Sequence, residues 1–376
     1  MFIEIHILQN FAPSNLNRDD TGNPKDTEFG GVRRARISSQ CIKRSIRFHP
    51  AFTGSTKVQP ADRTRWITRL LVKPLTDAGK PEEQAWAIAE AYAAYYCGLE
   101  KDKKTEQFRT NVLLYLSKNE IESIVQQLLE KWDEITASLK EGKSPALDAL
   151  AKDQFKALKD RTSAPDIALF GRMLAEKPEL NIDAACQVAH AISTHRVNME
   201  MDFYTAVDDL ARDDETGAGM IGMTGFNSAC FYRYARLDWD QLVKNLNGDQ
   251  PLARQTVEGF LRAAALAVPT GKQNSFAAQN PPDFLLGVAR KDGQSWSLAN
   301  AFETPVRASR EGGLIAASIE KLDGYWGKLT KAYAGQSLTS AVLALDDSAS
   351  LPNLEGVKTQ TLNDWVGKLL SALPAE

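Results

Sequence analysis

The sequence predicts an α+β protein built on a ferredoxin-like sheet that a large helical insertion interrupts. Three observations point there. The chain opens on a strand-like alternation; counted from there, its elements follow the order strand, helix, strand, strand, helix, strand; and an inserted block of about a hundred residues is helical. In the opening segment, Phe2–Leu8, isoleucines at 3, 5 and 7 alternate with Glu4 and His6, which reads as a strand with an all-isoleucine core face. A polar connection from Gln9 to Ile37 follows, carrying Pro13, Pro24 and three glycines; connections of this length are usually functional. Ser38 or Ser39 can cap a helix over the next residues. From about Ala61 to Gly171 the runs TRWITRLLV, PEEQAWAIAEAYAAYY and IESIVQQLLEKWDEITASL carry apolar residues at helical spacing. Strand character returns at Cys186–Val197 and again at Phe226–Leu237, on either side of an acidic, glycine-rich stretch, Asn198–Gly225. A helix over about Leu252–Val268, ended by Pro269, and a strand at Phe284–Ala289 complete the order.

Composition narrows the class. Of 376 residues, 43% are hydrophobic and 25% charged, which excludes wholesale disorder and disulfide-dense scaffolds. The net charge of −3 means that any electrostatic recognition is local. Cys41, Cys97, Cys186 and Cys230 lie far apart, a usage that fits a reducing compartment and no zinc site. Neither a signal peptide nor a membrane span is legible, so a cytoplasmic protein is expected.

The strongest chemical signal is Arg33 to Arg47, where Arg33, Arg34, Arg36, Lys43, Arg44 and Arg47 occur with no acidic residue between them. On a helix, Gln40, Lys43, Arg44 and Arg47 fall on one side, whereas Ile42 and Ile46 take the other. That arrangement fits a phosphate backbone held at a helix N-terminus, with Arg18 and Lys25 adding charge from the preceding loop; a solvated surface face has the same pattern. The stretch Met199–Gly225 places Phe203, Tyr204 and methionines among polar residues, as a wedge between bases or as core. The loop Pro269–Asp283 offers Lys272 and Gln273 as donors on a rim, or is a plain connection. Catalytic candidates are weaker. His6, Asp19 and Asp20 match no metal-ligand spacing, His190 and His195 read as ordinary positions, and no phosphate loop or nucleophile elbow occurs.

Seven motifs in one order carry a resemblance. LNRDD (16–20), FGGVRRARISSQCIKR (29–44), AHAISTH (189–195), FYTAVDD (203–209), FYRYA (231–235), PTGKQNSFAAQNP (269–281) and SLANAFE (297–303) together resemble the backbone subunit of type I-E CRISPR Cascade, the CasC family. Between about His49 and Ala168 no motif carries it. The resemblance implies an RRM-like palm (1–60, 181–197 and 226–376, the last with C-terminal helices), a helical fingers insertion (61–180) and a β-hairpin thumb (198–225). It implies a non-catalytic subunit that polymerises along the crRNA spacer and presents it to the target DNA strand. Its partners would be adjacent copies of itself, the small and large subunits, the subunit capping the crRNA 5′ handle and the crRNA-processing endonuclease. No cofactor or metal beyond the guide is implied. The RNA-binding set is then Arg18, Lys25, Arg33, Arg34, Arg36, Ser38, Gln40, Lys43, Arg44, Arg47, Lys272 and Gln273, with Met173 of the GRM at 171–173 and Phe203, Tyr204 and Thr205 as thumb wedge. An aromatic RNP1 signature is missing, which directs binding to the backbone rather than to stacking on the sheet. The rival reading is a metal-dependent ribonuclease of related architecture using Asp19 or Asp20.

Overall fold

β1 (Phe2–Ser14) is the central strand of the first of two compact units, which comprises 1–55, 187–238 and 257–376. In the computed structural model the described residues are 1–139, 142–206, 220–308, 313–333, 339–345 and 349–374. The long strand Met220–Asp238 lies antiparallel to β1 on one side and Phe284–Arg290 on the other. The short strand Ala191–Ser193 pairs with Met220–Asp238, so four strands stand in the order fourth, first, third, second of a ferredoxin-like sheet. The α1 helix (Ser39–Arg47) and the helix Gln250–Leu266 are its two crossover helices. Thr339–Ala344 extends the sheet beyond Phe284–Arg290. At the other end a hairpin of β2 (Asp26–Phe29) and β3 (Val32–Ile37) joins through β3 to Ala191–Ser193.

Two expectations are corrected here. The polar connection Gln9–Ile37 is mostly ordered strand, because β1 continues to Ser14 past a register shift and FGG makes a tight turn between β2 and β3. Gly30 and Gly31 both have positive φ (62° and 71°), a conformation that glycine adopts without penalty. The strand expected over Cys186–Val197 is broken in two, because His190 leaves the ladder and its Nδ1 accepts the Ser39 N–H at 3.1 Å.

β1 also differs from a one-faced strand. Ile3, Ile5 and Ile7 are buried, and Ile5 and Ile7 meet Ile42 and Ile46 of α1. The other face is equally dry: Glu4, His6 and Leu8 are buried beneath the helix Ile315–Tyr333 and the segment Trp296–Phe302. Polar residues survive there because they satisfy one another. Glu4 accepts Arg290 Nε–H at 2.7 Å, the Trp296 N–H and the Tyr234 hydroxyl, while the Arg290 guanidinium lies 4.2 Å from the Trp296 ring centroid. Burial pushes the Glu4 carboxyl up, with Arg290 opposing it. Tyr232 accepts the Leu298 N–H at 2.8 Å and shares a hydrogen bond of 2.9 Å with His6 Nδ1. Burial, aided by Arg290, pushes His6 down to about 3, so the imidazole is neutral.

The second unit comprises 56–186 and 239–256. Its helices Ile67–Asp77, Glu82–Ala93, Lys118–Glu130 and Pro145–Leu158 enclose a core that includes Leu71, Ile88, Tyr92, Ile124 and Leu147. A capping box starts the third of these: Ser117 Oγ accepts the Glu120 N–H and Glu120 Oε2 accepts the Ser117 N–H.

Candidate nucleic-acid interface

The cations of the basic run separate into those that reach solvent and those that do not. Arg18, Arg33, Gln40 and Arg44 are exposed, and Lys25, Arg36 and Lys43 are half-buried. Lys25, Arg36, His190, Cys41 and Arg44 share one neighbourhood at the start of α1. Burial, then Arg36 and Lys25, hold the His190 imidazole below its usual range, and burial raises the Cys41 thiol against Arg44 and Lys25. A negative ligand there meets several positive charges at once.

The α1 N-terminus itself is not an open anion site, a correction to the sequence reading. Ser38 Oγ accepts the Cys41 N–H at 3.3 Å as N-cap, the Ser38 N–H goes to Asn17 Oδ1 at 2.8 Å, and Ser39 is taken by His190. Ser38 is buried and serves the helix rather than a ligand.

Arg34 is corrected more sharply. Strand alternation turns it away from Arg33, and it is fully buried. Its guanidinium donates to five carbonyls: Phe29 (3.0 Å), Ser193 (3.2 Å), Thr194 (2.8 Å), Phe302 (2.8 Å) and Glu303 (3.1 Å). Three motifs distant in sequence, FGG, AHAISTH and SLANAFE, are thus pinned to one side chain. Gly30 completes the contact, since an added Cβ would collide with the Glu303 carbonyl. Arg47 is also buried, with its guanidinium 5.0 Å from the Phe48 ring centroid, so the polar face of α1 ends at Arg44. Phe48, exposed between Arg44 and Arg47, drew no attention in the sequence, where it is one isolated aromatic.

The loops around this face dock on one another. Asn15 Nδ2 donates to the Gly22 and Gly225 carbonyls, which ties the LNRDD loop to the root of the hairpin Glu200–Phe226. Gly271 packs against the Leu16 carbonyl so closely that a Cβ would collide, and Phe276 lies 5.8 Å from Phe226 between ring centroids. Gln273 is corrected as well: its amide donates inward to Pro269 O (2.8 Å) and Ala278 O (3.1 Å), closing its own loop. Lys272, half-buried with φ of 50°, sits at the turn of that loop.

The hairpin strand Glu200–Ala206 is exposed along its length. Phe203 pairs with Met223, Tyr204 with Gly222 and Thr205 with Ile221. Neighbours on a strand face opposite ways, so Phe203 and Thr205 share a face with Met201, Ile221 and Met223, and Tyr204 takes the other. The Tyr204 ring lies across Gly222, where no Cβ could stand. Phe203 and Tyr204 therefore present their rings on opposite faces of the hairpin. The FYTAVDD stretch continues into 207–219, outside the described residues.

In the second unit, Met173 is 83% exposed on a rigid frame. Arg172 beside it exchanges backbone bonds with Ile182 and donates to Glu120 Oε1 (2.9 Å) and Leu180 O (2.9 Å), both buried.

Of the catalytic candidates, Asp20 is exposed, while Asp19, His6, His190 and His195 make hydrogen bonds within the fold. Asp19 Oδ1 accepts Thr21 N–H, Thr21 Oγ–H and Asn23 N–H at 2.8–2.9 Å, which lowers the pKa of the carboxyl and ties that oxygen to the turn. His195 Nδ1 lies 2.7 Å from the Arg196 carbonyl, and Nε2 accepts the Cys230 N–H at 3.3 Å. Among the described residues no group of three or more His, Cys, Asp or Glu could hold a metal, and no helix is long and apolar enough to cross a membrane.

Comparison with known proteins gives the wider context. A family model described as CT1975-like protein matches residues 3–368. The chain is similar to one in a solved structure described as "CRISPR RNA-guided surveillance complex, pre-nicking", with 32% identity, TM-score 0.89, and 99% of this chain and 100% of that chain covered. It is also similar to one in a structure described as "CRISPR RNA-guided surveillance complex", with 28% identity, TM-score 0.78 and the same coverages. No curated protein matches the sequence.

Proposed function

The chain belongs to the CT1975-like protein family, and from that membership we propose that it is the crRNA-binding backbone subunit of a type I-E CRISPR Cascade surveillance complex. The observation that carries this reading is the full-length similarity to a chain of an RNA-guided surveillance complex. The site supports it independently: exposed and half-buried cations gather beside α1, as sequence-independent phosphate binding requires. In this reading Arg18, Lys25, Arg33, Arg36, Lys43 and Arg44 hold guide phosphates, Gln40 adds a hydrogen bond, and Lys272 contributes from the rim. Adjacent copies line up along the spacer, the other Cascade subunits flank them, and the target DNA strand pairs with the exposed guide bases.

The hairpin is the thumb, and one face of it, Phe203 with Met201 and Met223 or Tyr204 over Gly222, separates guide bases while Met173 presses from the fingers of the assembly. The family is generally non-catalytic, and in this reading the subunit acts in the cytoplasm without metal or cofactor. Incubating the assembled complex with complementary RNA and a divalent metal tests it, with no regular cleavage expected. Cleavage abolished by Asp19→Ala or Asp20→Ala overturns the non-catalytic role. Lys43→Ala is expected to lower the salt slope of RNA binding by about 0.7, the value for one phosphate contact on a single strand.

A further inference from the structure

Between the FGG turn and the root of the hairpin lies a cavity lined by Gly31, Val32, Arg33, Arg196, Val197, Asn198 and Met199, with a volume of about 560 Å³. We propose that this cavity is a phosphodiester-binding site in which Arg33 and Arg196, both among its lining residues, hold one nucleic-acid phosphate group. Arg196 belongs to none of the motifs discussed above. The inference rests on the reading of the chain as a guide-binding subunit, and adds to it a specific site and a further residue.

Both arginines stand on backbone that other contacts hold in place. On one wall, Arg33 alternates with buried Arg34, whose five carbonyl bonds fix β3. On the other, the Arg196 carbonyl is engaged by His195 Nδ1, and His195 Nε2 is held in turn by the Cys230 N–H. The two walls are joined directly, because Val197 N–H donates to the Arg33 carbonyl at 3.0 Å, and Val197 is buried. The spacing of the two backbone segments is therefore set before any ligand arrives, and side-chain rotamers remain to be fixed. Both side chains are exposed, and Asp26, 3.3 Å from Arg33 Nε, balances one of the two charges.

The floor suits a bulky anion. Gly31 has positive φ and nothing within 4 Å of where a Cβ would be, so backbone is bare there and a ligand can approach it closely. Guanidinium groups offer paired N–H donors matched to two phosphate oxygens, which an ammonium does not. A phosphodiester from the guide RNA or from the target DNA strand has the chemistry to fill the site.

The experiment uses the purified full chain, with fluorescence anisotropy of labelled single-stranded RNA over a salt series, and the guide-loaded complex with labelled target DNA. Arg196→Gln removes the charge, Arg196→Lys keeps the charge without the fork, and Lys43→Ala serves as a reference cation elsewhere on the interface. If the site holds guide phosphate, Arg196→Gln lowers the RNA salt slope by about 0.7 and weakens binding, while Arg196→Lys keeps the slope at lower affinity. If it holds target DNA, the same change is confined to the DNA arm. Unchanged slopes in both arms for Arg196→Gln, with Lys43→Ala reducing its slope, overturn the site and leave the guide-binding reading standing. Wild-type chain that binds neither nucleic acid overturns both.

Discussion

Arg34→Ala tests the central structural correction, the removal of one arginine of the basic run from the interface to the interior. In the wild type its guanidinium satisfies five carbonyls, and the bonds to Ser193, Thr194 and Phe302 are buried. Each buried carbonyl left without a donor costs about 1–3 kcal/mol, and water entering the vacated space recovers part of it, so a loss of about 3–5 kcal/mol is expected. Arg33→Ala is the control. Its side chain is 62% exposed and its ion pair with Asp26 lies at the surface, so its loss is expected to cost less than about 1 kcal/mol. Urea unfolding followed by circular dichroism, beside RNA anisotropy at fixed salt, separates the two. The account expects a lowered unfolding midpoint for Arg34→Ala and a reduced salt slope for Arg33→Ala. Arg34→Ala with wild-type stability and a salt slope reduced as in Arg33→Ala would place the guanidinium on RNA and refute the strut.

Further outcomes follow from other parts of the molecule. Ile46→Ala removes a buried side chain between α1 and β1 and is expected to cost about 2–5 kcal/mol, while Lys43→Ala, on the half-buried side, costs far less; equal shifts in Tm would contradict the two-faced helix. His6 has a folded pKa near 3, below its unfolded value of about 6.5, so the folded state binds fewer protons between these values. Stability is then complete above pH 6.5 and falls as pH drops, by about 2–3 kcal/mol at pH 4.5, and His6→Gln is expected to flatten that slope in pH-dependent urea titrations. An equally steep slope in the variant would assign the acid sensitivity elsewhere. Phe203→Ala and Tyr204→Ala, being exposed and on opposite faces, should each leave the melting temperature nearly unchanged. If the hairpin is the wedge, one of them, not both equally, should erase periodic permanganate reactivity of thymines in the bound target strand.

The four strands of the ferredoxin-like core were legible because alternation and chain order survive in the sequence, and α1 because Ile42 and Ile46 mark its inner side. What the sequence hid was long-range. Glu4 and His6 read as a solvent face because nothing local reveals that Glu4 meets Arg290, 286 positions away, or that Tyr232 supplies His6 with a partner. Arg33 and Arg34 are alike in composition and differ only in which face of β3 they occupy. The same alternation separates Phe203 from Tyr204, and applying period two to both pairs would have found it. Gln273 looked like an outward donor because its acceptors, Pro269 and Ala278, belong to a turn that the residue itself completes. The hairpin within 9–37 was missed because two adjacent glycines read as slack chain rather than as a tight turn. Arg196 stood outside every motif, and only the folded chain brings it to the cavity that Arg33 also lines.

The most direct test of the guide-binding role is to purify the protein under native conditions from cells that express it with its companion subunits and a repeat–spacer array, and to sequence the RNA that comes with it. The account predicts RNA of one uniform length derived from the array, carried by an assembly holding several copies of this chain. A chain that emerges without RNA, or as a monomer with cellular RNA of mixed length, would contradict it.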